Sequence, residues 1–243
     1  MTIPRKCRSG KKLVAFSGGK DSTAVALIVA EEGEPFELLF TPTGNEGPEV
    51  MAHIEAMSKR VGAPVIIPKG PKLLPLIDEF GALPNWRQRW CTRMIKIEPC
   101  IAYLKAHPGS TLCVGLRADE EAREGLYGDF ATYRYPLRER GLNLAATLKL
   151  VADAGICVPR RTDCLLCYGQ RLTEWYALWR DRPEEYAVGE ALEAKTGHTF
   201  RSSGRDTWPA ALADLRAEFA SGRVPKSQDK YDGDLEACRV CRL

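Results

Sequence analysis

Residues 12–16 form a short apolar run that stops at Ser17-Gly18-Gly19-Lys20-Asp21-Ser22, after which residues 23–30 continue as good helix formers. Strand, Gly-rich turn and helix are predicted in that order. Residues 36–40 are a second run of strand length, broken by a polar, Pro/Gly-rich stretch at 41–48. Residues 49–61 then have helical spacing, with Val50, Ile54, Met57 and Val61 on one face. Residues 63–68 read as a third strand, 97–106 as a helix, and 111–116 as a fourth strand running into Arg117-Ala118-Asp119-Glu120. Such alternation predicts an α/β fold, a doubly wound and mostly parallel sheet that binds ligands at the carboxyl ends of its strands. Beyond residue 116 the pattern changes. Residues 120–135 are polar, no strand is expected after them, and helices are predicted over 144–154, 172–180, 183–196 and 210–220. The implied organisation is an α/β nucleotide-binding unit over 1–140 and a mainly helical, cysteine-containing region over 141–243.

Composition narrows the class. A chain of 243 residues with 44% hydrophobic and 28% charged positions is ordinary globular usage, which excludes a fibrous or tail-like protein. A net charge of +3 does not by itself announce a nucleic-acid binder. No apolar stretch approaches the ~18 residues of a membrane span, so a cytoplasmic protein without a membrane partner is expected. Nine cysteines in a reducing compartment point to metal ligation or thiol chemistry rather than disulfides.

The turn at 17–22 has the parts of an anion site. Unsatisfied N–H groups and the dipole at a helix N-terminus favour negative charge, two glycines allow close approach, and Ser17, Ser22 and Lys20 add donors. It fits neither the Walker A pattern nor G-x-G-x-x-G. Ser-Gly-Gly-Lys-Asp-Ser after a strand resembles the PP-loop of the ATP pyrophosphatases, which cleave ATP to AMP and pyrophosphate while adenylating a substrate. Within that superfamily the chain is most similar to the phosphoadenylyl-sulfate (PAPS) reductase-like branch. The likeness is carried further by Thr41-Pro42-Thr43-Gly44-Asn45-Glu46, by the segment from Cys91-Thr92-Arg93 through Lys96 to Pro99, and by Val114-Gly115-Leu116-Arg117-Ala118-Asp119-Glu120. Tyr135-Pro136-Leu137 and the segment from Cys164 to Gln170 with Glu174-Trp175 resemble phage-encoded and DNA-phosphorothioation members. The resemblance implies an adenine nucleotide alpha-hydrolase-like fold. It also implies that Ser17, Gly18, Gly19, Lys20, Asp21 and Ser22 hold the pyrophosphate of ATP with Mg²⁺, Lys20 and Asp21 taking part in catalysis. Thr43 and Gly44 would lie beside the nucleotide, Arg93 and Lys96 would contact phosphate or substrate, Gly115 would admit adenine, and Arg117 would reach the α-phosphate or an anionic substrate.

Cys164-x₂-Cys167 and Cys238-x₂-Cys241 are two metal-type pairs that together suit a four-thiolate site, zinc or iron–sulfur. The apolar Leu165-Leu166 spacer leans towards a 4Fe–4S cluster, with Zn²⁺ as the alternative. By resemblance Cys91 is an equal contender as a cluster ligand with Cys164, Cys167 and one terminal cysteine, and it is the cysteine expected in catalysis. Cys113 and Cys157 are expected to be small core residues. The chain lacks the C-terminal Glu-Cys-Gly motif of assimilatory reductases and the two Cys-Cys pairs of adenylyl-sulfate reductases, a departure from simple PAPS reduction. Asn85-Trp86-Arg87-Gln88-Arg89-Trp90 interleaves aromatics with cations just before Cys91, the pattern of a nucleic-acid contact, whereas Trp175 and Trp179 read as a buried helix stripe. The expected activity is ATP-dependent adenylation supporting sulfur transfer to a nucleotide, DNA or RNA, with a sulfur donor such as a cysteine desulfurase. The alternatives are a sulfonucleotide reductase and a non-catalytic nucleotide- or nucleic-acid-binding protein with structural zinc.

Overall fold

A computed structural model describes residues 10–120 and 128–226. Its sheet has the order β3-β2-β1-β4-β5, all parallel, with β1 at Lys12–Ala15, β2 at Glu37–Leu39, β3 at Val65–Ile66, β4 at Thr111–Cys113 and β5 at Thr132–Arg134. The strands are short, but Leu13, Val14, Leu38, Leu39, Leu112 and Cys113 of the central ones are buried, because helices cover both faces. Alternation along the strands feeds two cores. Val14, Leu38 and Cys113 pack with α1 (Lys20–Glu31), α2 (Pro48–Val61), α5 (Pro136–Glu139) and α6 (Leu144–Asp153). Leu13, Leu39 and Leu112 pack with Cys100 and Leu104 of α4 (Glu98–Ala106) on the opposite face.

A third core lies beyond the sheet. It joins α3 (Leu73–Phe80) and Ile95 to α7 (Leu172–Asp181), α8 (Pro183–Thr196) and α9 (Leu212–Ala220), around the fully buried Trp175. The stripe reading thus holds for Trp175; Trp179 is half-buried against Phe219. Leucine side chains do not close this core alone. The buried Glu193 carboxylate of α8 accepts from the Phe200 and Leu212 amides at 2.8 and 2.6 Å, tying the 197–211 connection to the helix pair.

Two local outcomes differ from the sequence reading. A strand, β5, occurs at Thr-Tyr-Arg inside the polar stretch 120–135, to which the sequence reading assigns no element; it pairs with β4 through its backbone and needs no apolar face to do so. Cys157 is exposed rather than a core residue, because the chain leaves α6 through Gly155 at φ 70° and runs over the surface there.

The sheet order reverses between β1 and β4, since the chain winds outward to β2 and β3 and then returns to the other side of β1. At such a switch point the two following loops diverge and leave a crevice above the carboxyl ends. The loop at 17–19 and Gly115 border it. No helix among the described residues is long and apolar enough to cross a membrane.

Candidate active site

A cleft of ≈ 230 Å³ opens at the switch point. Its floor is the turn between β1 and α1. Gly18 has φ 77°, a conformation that favours glycine, and Gly19 caps α1 in an extended conformation with its carbonyl accepting from the Thr23 amide. Ser22 Oγ donates to the Gly19 carbonyl at 3.0 Å and accepts from the Ser17 amide at 3.3 Å, so the two serines brace the turn. Lys20, Asp21 and Ser22 are all buried beneath it.

Asp21 organises the charges. Its carboxylate accepts two hydrogen bonds from Arg117 Nη1, at 3.2 and 3.0 Å, and lies 3.7 Å from Lys20 Nζ. Burial pushes its pKa up, while Lys20 and Arg117 pull it back. Arg117 also donates from Nε to Asp119 at 3.0 Å and stands 3.7 Å from Glu120. Three carboxylates therefore surround a guanidinium that the sequence reading aimed at the α-phosphate, and its visible work is to fix Asp21. Gly115 borders the cleft as expected, but a Cβ there would stand 3.1 Å from the Asp21 carbonyl carbon and 3.2 Å from its Cβ. Close approach of β4's exit to α1 already accounts for this glycine.

The β2–α2 loop forms one wall. Glu46 folds back to accept from the Thr43 amide and hydroxyl at 2.6 Å each and from the Gly44 amide at 2.9 Å. Asn45 turns the other way. Its main-chain carbonyl accepts from the Leu165 amide at 2.7 Å and its Oδ1 from the Leu166 amide at 2.8 Å, which docks the Cys164–Cys167 loop against the cleft. Gln170 Nε2 closes the same loop by donating to the Leu165 carbonyl.

Behind this wall lies a second, smaller cavity of ≈ 20 Å³ lined by Cys91, Cys164, Cys167, Asp163 and Tyr168. Thr43, Lys96 and Cys164 line both spaces. Lys96 reaches this position through a π-helical turn at Thr92–Ile97. Five residues carry an α-helix about 140° past a full turn, whereas i→i+5 bonding stacks residues five apart, so Cys91 and Lys96 share a face. Burial pushes the thiols up: Cys91 upward, Cys164 to about 11 and Cys167 well above its ordinary value. Lys96 opposes the shift at Cys91 and Cys164, and the Thr43 hydroxyl does so at Cys164.

Arg93 is not brought to either cavity. It is exposed and pairs with Glu98 at 3.3 Å. Cys100, which the sequence reading left unassigned, borders the larger cleft as a buried thiol pushed up by burial to about 12. The segment 158–162 was also missed. Val158, Pro159, Arg160 and Thr162 line the cleft, with Thr162 Oγ1 only 3.3 Å from where a Gly19 Cβ would stand. No local motif marks these residues, since their role depends on where α6 delivers the chain. Cys238 and Cys241 lie outside the described residues. Among the described residues no three Cys, His, Asp or Glu side chains are grouped to hold a metal ion. A cavity of ≈ 20 Å³ holds about one water, so as they stand Cys91, Cys164 and Cys167 do not fit a 4Fe–4S cluster, nor Zn²⁺ as a ready set. Mg²⁺ carried by nucleotide phosphates asks for only one or two carboxylates, and Asp21 and Glu120 line the cleft.

A doubly wound sheet with a Gly-rich turn of this sequence at its switch point is the arrangement that the PP-loop resemblance implies. Residues 11–127 match the phosphoadenosine phosphosulfate reductase domain. Two uncharacterised proteins of Methanocaldococcus jannaschii are 30% and 29% identical over 94 and 93 residues, 38% of this chain in each case. The chain spans only 19% and 22% of the length of those relatives. Among solved structures, a PAPS reductase from Candida auris in complex with phosphate is 14% identical with a TM-score of 0.49, covering 61% of this chain and 74% of that one. The U34-tRNA thiolase NcsA from Methanococcus maripaludis, solved with its 4Fe–4S cluster, is 16% identical with a TM-score of 0.44, covering 87% and 79%.

Proposed function

We propose that the chain is an ATP-dependent adenylating enzyme that cleaves ATP to AMP and pyrophosphate in support of sulfur transfer to a nucleic acid or nucleotide. The observation that carries this reading is the shared wall: Thr43, Lys96 and Cys164 line the nucleotide cleft on one side and the thiol cavity on the other. An electrophile made in the first space is met by sulfur from the second.

In the first step an acceptor oxygen attacks the α-phosphorus of ATP and the bond to pyrophosphate breaks. The N–H groups of residues 18–22 and Lys20 stabilise the leaving charge, and Asp21, held by Arg117, keeps Lys20 in place. Mg²⁺ would neutralise further phosphate charge from the side of Asp21 and Glu120. Adenylation turns the acceptor oxygen into a good leaving group. A persulfide delivered to Cys164 by a donor such as a cysteine desulfurase then attacks the activated centre, and AMP departs. The Cys167 thiolate attacks Cys164 Sγ, releases the sulfur on the acceptor and leaves a Cys164–Cys167 disulfide for an external thiol to reduce. Lys96, whose charge acts at Cys164, would favour the anionic form of the terminal persulfide sulfur at the moment of attack.

The test is pyrophosphate and AMP release over a panel of nucleotide, RNA and DNA acceptors. Lys20→Ala and Asp21→Ala should abolish release while far-UV circular dichroism stays unchanged; retained turnover removes the loop from the mechanism. The domain match supports one competing reading, a sulfonucleotide reductase whose phosphates occupy the loop. Sulfite formed from PAPS or adenylyl sulfate without ATP cleavage would favour it.

A further inference from the structure

Trp86 is large, apolar and 46% exposed, yet it is not loose. Its ring packs perpendicular to the buried Tyr168, with centroids 5.1 Å apart and planes at 88°. The backbone beneath it is held by Asn85, whose Oδ1 accepts from the Arg87 and Gln88 amides at 2.9 Å each. Tyr168 and Pro84 line the thiol cavity. A fixed, solvent-facing indole thus stands against the outer side of the wall behind which Cys91 and Cys164 lie.

Cations flank it along the chain. Arg87 is exposed and its guanidinium has no ion-pair partner among the described residues. Arg93 is exposed further along the chain, and Arg89 is half-buried between them. Glu98 opposes Arg93 only. A hydrophobic explanation fails, because a core residue would be covered and an accidental surface tryptophan would not be braced by a ring below and a side-chain-capped turn beside it. A planar aromatic surface flanked by cations has a complementary ligand class: a base stacked on the ring with its phosphates on the arginines.

We infer that Trp86, Arg87 and Arg93 form a stacking platform for an unpaired nucleotide of a single-stranded nucleic acid, which orients the strand at the thiol cavity. It takes single strands because a base within a duplex already has both faces covered. The inference rests on the reading of the site as sulfur transfer to nucleic acid, and it narrows the acceptor to an unpaired segment.

Anisotropy of fluorescein-labelled oligo(dT) and oligo(U) 20-mers, and of a matched duplex, tests it on the full chain. Trp86→Ala should weaken single-strand binding by about 5- to 150-fold, the range of one lost base stack, while Trp86→Phe keeps most of the affinity. Arg87→Ala with Arg93→Ala should lower the slope of log affinity against log salt by about 1.4, two single-strand phosphate contacts. Labelled-ATP binding is measured in parallel and should not change in any variant. No single-strand binding by the unaltered chain, equal affinity for the duplex, or a Trp86→Ala variant within twofold would each overturn the platform. Loss of oligonucleotide binding in Trp86→Ala by a chain that never cleaves ATP would instead uphold the platform and sink the adenylation reading.

Discussion

The Asn45 side chain makes a single bond to the cysteine loop, and removing it has a calculable effect. Asn45 Oδ1 is the acceptor for the amide of the buried Leu166, in a bond that is itself only partly buried; the neighbouring bond from Leu165 uses the Asn45 main chain and survives substitution. Asn45→Ala leaves one amide without its partner, which costs about 1–3 kcal/mol. Because the site is half-buried and water reaches part of it, about 1–2 kcal/mol is expected, or about 5- to 30-fold more frequent local opening of the 164–167 loop. The thiols report that opening. Cys164 is half-buried and Cys167 buried, so both react with a thiol reagent mainly when the loop lifts, whereas Cys157 is exposed and serves as the internal standard. Site-resolved mass spectrometry after timed labelling with a disulfide reagent should show Cys164 and Cys167 speeding up by that factor with Cys157 unchanged. Asn45→Asp keeps the acceptor and should retain protection. The reasoning fails if Asn45→Ala labels within twofold of the parent, or if Cys100, which is not on this loop, accelerates equally and so reveals general unfolding.

Glu193→Ala strips the acceptor from two buried amides at about 1–3 kcal/mol each, so chemical denaturation should show a loss of about 2–6 kcal/mol, and about half of that for Glu193→Gln, which keeps one oxygen. Arg134 and Lys12 hold Glu32 down at about 2, from an ordinary 4.5. Its folded-state pKa being depressed, the stabilisation is complete above 4.5 and is lost as pH falls towards 2; solvent screening keeps it under about 1 kcal/mol, and Glu32→Gln should flatten that part of an acid-unfolding curve. Cys164 alkylation by iodoacetamide should rise about tenfold per pH unit through the mildly alkaline range, since burial pushes the thiol up to about 11. Lys96→Met should slow it further at any given pH, and a rate unchanged in that variant would deny Lys96 its electrostatic role.

What could be read along the chain is what repeats at short range. Leu13 and Val14 are both apolar because both sheet faces are covered, and the PP-loop is contiguous, so strand, turn and helix were all legible. β5 was not, because Thr132, Tyr133 and Arg134 pair by backbone alone and sit half-exposed at the sheet edge. Cys157 misled because Ile156 and Val158 beside it do pack against the core while its own side chain faces outward. The site's second wall was illegible for a different reason. That Asn45 meets Leu166, and that Thr162 meets Gly19, depends on where α6 returns the chain across more than a hundred residues, which no local spacing encodes.

Lys96 shows how the two spaces become one site. An ammonium between the cleft and the thiols of Cys91 and Cys164 stabilises an anion on either side, and its charge cannot serve both fully at once. With the cleft empty, it lowers the cost of a thiolate at Cys91 and Cys164, although burial still keeps both thiols above their ordinary values. Under the proposed reaction, a triphosphate in the cleft would compete for the same charge and hold the sulfur in its less nucleophilic, protonated form. Departure of pyrophosphate would remove most of that competition just when the adenylated acceptor is ready for attack. The π-helical turn matters for this reason: a regular α-helix would swing Lys96 away from the face of Cys91 and separate the charge from one of the thiols it acts upon.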